Sequence, residues 1–133
     1  MANTTPIFPL VPEISFVTLF NETTDRSGAT VVNLLELLTA GASGTKITQI
    51  VLKSAGATGG GSVLIFITDA AGNNPTLFDE LVFNALTPAE DISSTRGVGV
   101  YSDLQLKPGQ KILVGVTVFQ QFGINIFAVK GDY

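Results

Sequence analysis

The sequence predicts an all-β fold: an antiparallel β-sandwich of eight strands wound as a jelly roll, preceded by an extended proline-rich arm. Three observations carry this. Apolar residues, many of them β-branched, recur in short stretches, and several of these alternate with polar residues at the two-residue period of a strand. The stretches follow one another at about ten to fifteen residues, with glycine or proline in most connections. Cysteine and tryptophan are absent, so the disulfide and buried tryptophan of an antibody-type sandwich are missing, and eight strands favour the jelly roll over the seven-stranded alternative.

Residues 1–14 read as the arm, and 15–133 as a single sandwich domain. Pro6, Pro9 and Pro12 recur at every third position, with Ile7, Phe8, Leu10 and Val11 between them. Proline fixes φ and lacks a donor, which favours an extended path over helix or inner strand. Apolar residues on an ordered arm need cover, either from their own core or from a neighbouring subunit; a disordered arm is the third reading. Ser15–Asn21 is the first strand, with Phe16, Thr18 and Phe20 alternating against Val17 and Leu19. Ala29–Ala40 fits either period. Val31, Leu34, Leu35 and Leu38 match a helical face, but the neighbours are strands and a strand is expected.

Thr45–Asp69 is the most apolar region and reads as a hairpin around the glycine-rich turn Gly56–Gly61. In its first run Ile47 is out of phase with Ile50 and Leu52, which predicts a β-bulge near Thr48–Gln49. Its second run, Val63–Leu64–Ile65–Phe66–Ile67, is unbroken, so both faces of that strand are apolar. If Val63, Ile65 and Ile67 face the core, Leu64 and Phe66 need a second cover, from the domain itself or from a partner. Further strands follow at Thr76–Leu86, Thr95–Leu106, Lys111–Phe119 and Ile124–Lys130, separated by Asn73–Asn74–Pro75, Thr87–Ser94, Lys107–Pro108–Gly109–Gln110 and Gln120–Gly123.

Composition narrows the function. The chain has 133 residues, enough for one self-sufficient core. Histidine is absent, which removes the commonest general base and metal ligand. A net charge of −4 without charge runs speaks against nucleic acid. Charged residues are only 14% of the chain, against about 25% in an average soluble domain, which leaves apolar surface for an assembly to bury. Met1–Thr5 lacks the marks of a signal peptide and no apolar run approaches a membrane span, so folding in a cytoplasm is expected.

No stretch carries recognisable chemistry. Asp79–Glu80 would point to opposite faces of a strand and cannot line one site. Glu90–Asp91 falls in a loop. Asp69–Asn74 has oxygen ligands without the acidic density of a calcium loop. Gly41–Lys46 lacks the order of a phosphate-binding loop, and neither Ser43 nor Ser62 stands in a nucleophile elbow. No catalytic residue, metal or cofactor is expected. Tyr101 and the phenylalanines are core residues first and a sugar-stacking platform second.

Several stretches, taken in order, are similar to small structural proteins of tailed bacteriophage virions: Leu37–Ile47, Ile65–Gly72, the strand Leu77–Pro88, Leu104–Gly109 and the terminal Gly131–Asp132–Tyr133. The resemblance spans about residues 30 to 133. It implies a non-enzymatic β-sandwich component of the particle, a cement or decoration protein that binds the outside of the major capsid protein shell and also its own copies, as a homotrimer. Nucleic acid and membrane are not expected partners. A host-binding, carbohydrate-recognising module of a head or tail fibre is the alternative. The arm lies outside the resemblance. The residues expected at subunit contacts are Pro6, Ile7, Phe8, Pro9, Leu10, Val11 and Pro12 of the arm, with Leu64 and Phe66.

Overall fold

The computed structural model describes residues 11–133. None of them is helical. They form β1 (Val11–Leu19), β2 (Leu35–Thr39), β3 (Thr45–Ser54), β4 (Gly61–Ile67), β5 (Thr76–Phe83), β6 (Arg96–Leu106), β7 (Lys111–Val116) and β8 (Ile124–Asp132). The strands make two four-stranded antiparallel sheets, ordered β1-β8-β3-β6 and β2-β7-β4-β5. Pairing is nested: β1 with β8, β2 with β7, β3 with β6, and β4 with β5. The β3–β8 and β4–β7 ladders complete the sheets.

The core lies between the inward faces of the sheets. Ile47, Ile50 and Leu52 of β3 and Ile124, Ile126 and Ala128 of β8 meet Val63 and Ile65 of β4 and Ile112, Val114 and Val116 of β7. The expected bulge is present, with the register slipping between Ile47 and Gln49 so that Ile47 and Ile50 both face inward. A second bulge, between Glu36 and Leu38, lets the adjacent Leu37 and Leu38 both enter the core.

Thr45–Asp69 is not a hairpin. β3 belongs to the first sheet and β4 to the second, and residues 55–60 carry the chain across the sandwich. Six residues reach about 20 Å, ample for sheets about 10 Å apart. Thr58 anchors the crossing by exchanging two backbone hydrogen bonds with Leu86, at 2.9 and 3.0 Å. The arm boundary also moves. Residues 11–14 belong to β1, where Val11 pairs with Asp132 and Pro12 with Gly131. β1 is an edge strand, a sheet position where proline's missing N–H can face away from the ladder. Pro6, Ile7, Phe8, Pro9 and Leu10 lie outside the described residues. Of Ala29–Ala40, only Leu35–Thr39 is strand.

Leu64 and Phe66 are wholly buried, although they point away from the core cluster. The connection from β1 to β2, residues 20–34, lies across their face of the second sheet. Glu22 pairs in parallel with Val116, and the Thr23 N–H donates to the Val116 carbonyl at 2.7 Å. Gly115 stands opposite Leu64 in the register, and a Cβ there would lie 2.4 Å from the Thr23 methyl and 2.8 Å from Leu34. Glu80, on the other side of Leu64, receives Arg26 through Nε to Oε1 at 2.6 Å and Nη2 to Oε2 at 3.2 Å. Gly28, at φ +81°, fits closely against the Pro75 carbonyl. The connection thus passes over β7, β4 and β5. Leu64 and Phe66 are covered by their own chain, and the expectation that they stand at a subunit contact is corrected accordingly.

Gly115→Ala is expected to lower the unfolding free energy in urea by about 1–3 kcal/mol by pushing against Thr23 and Leu34, with amide protection lost first over residues 22–34.

Candidate functional site

Every edge of the two sheets is blunted against strand addition. β1 carries Pro12. β2 has five residues and its bulge. β5 has an extra residue, Phe78, between the partners of Ile65 and Phe66, followed by Asp79 and Glu80. β6 sets Tyr101, Ser102 and Asp103 opposite the single Thr48. Association by backbone pairing is therefore disfavoured, and the faces become decisive.

The outer face of the first sheet is apolar and open. Register aligns Ile14, Val129, Gln49 and Val100 in one row across the strands, and Phe16, Phe127, Val51 and Val98 in the next. Both margins face solvent: Ile14 is 61% exposed, Phe16 65% and Val100 73%. The Phe16 and Phe127 ring centroids are 5.7 Å apart. The only polar member of this band is the uncharged Gln49.

A polar row, Thr18, Asn125, Lys53 and Arg96, bounds the band on one side. Thr18 donates to Asn125 at 2.6 Å, and the Lys53 ammonium donates to the Ser93 hydroxyl and the Ser94 carbonyl. Beyond it, at the loop end of the sandwich, lies a second apolar surface: Phe20, Val118, Phe119 and Phe122, all exposed. Buried Gln120 organises this tip. Its N–H donates to the Phe20 carbonyl and its Nε2 to the Val118 carbonyl. Glycines seat the rings, for a Cβ on Gly56 would lie 2.6 Å from Phe122 and one on Gly123 2.9 Å from Phe20. Sequence reasoning did not single out this tip. The available signal was Phe119 and Phe122 flanking a predicted turn.

Several of the charged groups have structural partners. Asp79 and Glu80 diverge as a strand requires: Asp79 accepts from the Tyr101 hydroxyl at 2.8 Å, while Glu80 pairs with Arg26. Burial, and then the Asp79 carboxylate, push the Tyr101 hydroxyl above its ordinary range. Asp69 accepts the N–H groups of Ala71 and Asn73 and the Asn74 amide, and the Asn73 contact leads in holding its carboxyl low. At the opposite end of the sandwich from the tip, the nearly buried Lys130 lies 3.4 Å from Asp132 and 3.8 Å from Glu13. The Thr45 hydroxyl donates to Asp132 and is the main reason that carboxyl titrates low. Among the described residues, no group of three acidic side chains could hold a metal ion.

Of the residues expected at subunit contacts, Val11 and Pro12 are exposed at the start of β1, Leu64 and Phe66 are covered, and Pro6–Leu10 fall outside the described residues. Compared with known protein families the chain matches none, and comparison with curated proteins likewise finds no match.

Phe16→Ser is expected to change the unfolding free energy by less than about 0.5 kcal/mol, whereas Phe66→Ala lowers it by about 3–5 kcal/mol; urea denaturation of both variants checks the contrast between open band and covered face. Asp25, in the covering connection, is held to about 2 from an ordinary 3.8, first by the Ser27 hydroxyl, then by the Ser27 and Thr30 N–H groups. A carboxyl lowered on folding stabilises above its unfolded value and loses that effect as pH falls through its folded one. The Ser27 and Thr30 amide NMR signals are therefore expected to shift together with a midpoint near pH 2.

Proposed function

We propose that this protein is a structural component of a tailed-phage virion: a cement or decoration protein that sits on the outside of the major capsid protein shell as a symmetric oligomer and stabilises it, without catalysis. The strand order β1-β8-β3-β6 over β2-β7-β4-β5 supports reading the sandwich as a jelly roll, an architecture common in viral capsid and lectin domains. One observation carries the function. The sandwich blunts all its edges yet keeps two separate open apolar surfaces, the sheet band and the loop tip. A decoration subunit uses two surfaces, one for its copies and one for the shell. The tip is assigned to the shell, because loops adapt to a foreign surface more readily than a rigid sheet does. Binding only the assembled state stabilises that state by mass action. The negative charge favours the outer side of the shell, away from packaged DNA.

A second reading, host-glycan recognition, is favoured by one cluster: Phe78 and Tyr101, with ring centroids 5.4 Å apart, beside the Asp79 carboxylate. A half-exposed ring next to a carboxylate is a workable sugar contact, and Phe78 is 42% exposed.

The purified protein is expected to co-sediment with undecorated capsids and to raise their temperature of disruption. The double variant Phe119→Ser, Phe122→Ser loses two large apolar contacts and is expected to bind at least about 100-fold more weakly while keeping its solution mass. Failure of the wild-type protein to co-sediment, together with binding on a glycan array that Phe78→Ala abolishes, would replace the first reading with the second.

A further inference from the structure

We infer that the apolar band on the first sheet receives the segment Pro6–Leu10 of a second copy of this chain. The inference rests on the reading that this protein works by association, and it is independent of the capsid.

The band has a size, a chemistry and a constraint, and the segment meets all three. Four strands at about 4.8 Å spacing make it about 14 Å wide from β1 to β6. Five residues in a polyproline path extend about 16 Å, so Pro6–Leu10 can cross it once. In such a path the three-residue period would put Ile7 and Leu10 on one side and Phe8 on the next. Two of the three sides are thus apolar, and the third is lined by Pro6 and Pro9. Neither segment nor band carries a charge, so docking desolvates none. Pro6 and Pro9 lack N–H groups and cannot extend a sheet. A surface that offers side chains and no free edge suits such a segment.

The donor is a second copy for a geometric reason. β1 begins at Val11, three residues short of the row that Ile14 opens. That offset is about 10 Å. A chain folding back on its own sheet would reverse at Val11 and use about 10 Å of its 16 Å before meeting the band, leaving Pro6 and Ile7 to cover it. A neighbour's segment approaches without this loss. Two bare bands packed face to face fall short as well. Two rows on four strands give a few hundred Å², against about 800 Å² per partner in a stable complex. With segment docking, each copy can bury two such patches, its band under one neighbour and its segment on another. Segment-to-band contact is head-to-tail, which forms a ring where the rotation between copies closes, and a trimer is one such ring.

Complementation between two full-domain variants tests this, read as solution mass by light scattering. Wild type is expected to be an oligomer. Deletion of residues 1–10 keeps the band and removes the segment. Val100→Asp keeps the segment and charges the band at its most exposed position. Each variant alone is expected to fall to the mass of one chain, 13.9 kDa for the full-length variant. Mixed, they are expected to form a one-to-one complex, because the segment of one meets the band of the other. A wild-type monomer, a deletion variant that keeps the wild-type mass, or a mixture that stays monomeric overturns the inference. Ile14→Asp repeats the band test on a different strand, and circular dichroism confirms that each variant is folded. Capsid co-sedimentation of the deletion variant separates the two proposals: a variant that is monomeric yet still binds capsids leaves the shell contact standing by itself, and an intact oligomer that ignores capsids leaves only the segment contact.

Discussion

The rest of the structure depends on one constraint, the burial of β4 on both faces. Val63 and Ile65 are satisfied by the sandwich core, but Leu64 and Phe66 point the other way and cannot be left in water. The chain meets this by laying the β1–β2 connection, from Thr23 to Leu34, over the second sheet. That layer requires space, supplied by the missing side chain of Gly115, and anchorage, supplied by the Thr23–Val116 hydrogen bond and the Arg26–Glu80 fork. With the outer side of the second sheet covered in this way, the open apolar band lies on the first sheet.

The sparse charges serve this arrangement. Arg26–Glu80 fastens the connection, Lys111–Glu36 at 2.8 Å joins β7 to β2, and Lys130 with Asp132 and Glu13 closes the end where β1 and β8 pair. The exposed pairs Arg26–Glu80 and Lys111–Glu36 each contribute about 0–1 kcal/mol, so they fix geometry more than they hold the fold. Their placement leaves the apolar band without a charged member, a condition that a tightly packed partner surface requires.

The sequence made the strands legible because a period of two survives in the alternation of β8 and β7, and it made the Thr48 bulge legible because Ile47 and Ile50 cannot share a face without one. It did not reveal that β3 and β4 lie in different sheets. A glycine-rich connection of six residues is compatible with a long hairpin and with a crossing, and only the distant partners, β8 and β7, decide between them. The covered state of Leu64 and Phe66 was illegible for a related reason, since the cover comes from residues of weak periodicity some thirty to forty positions away. The band was hidden in β1, where Phe16 and Val17 are both apolar and alternation does not say which side faces the core. The tip was hidden because Phe119 and Phe122 sit in a segment read as strand end and turn.

Nested pairing also orders events in time. β1 is made first but finds its hydrogen-bonding partner only in β8, the last strand, and β8 must also insert between β1 and β3. Contacts so distant in sequence form late. Ile14 and Phe16 join Val129 and Phe127 only when that insertion is complete, so a partly synthesised chain has no band to offer. If copies attach through this band as proposed, it acts as a certificate of a finished subunit: truncated or half-folded copies would be left out, because the place where a neighbour would attach does not yet exist on them.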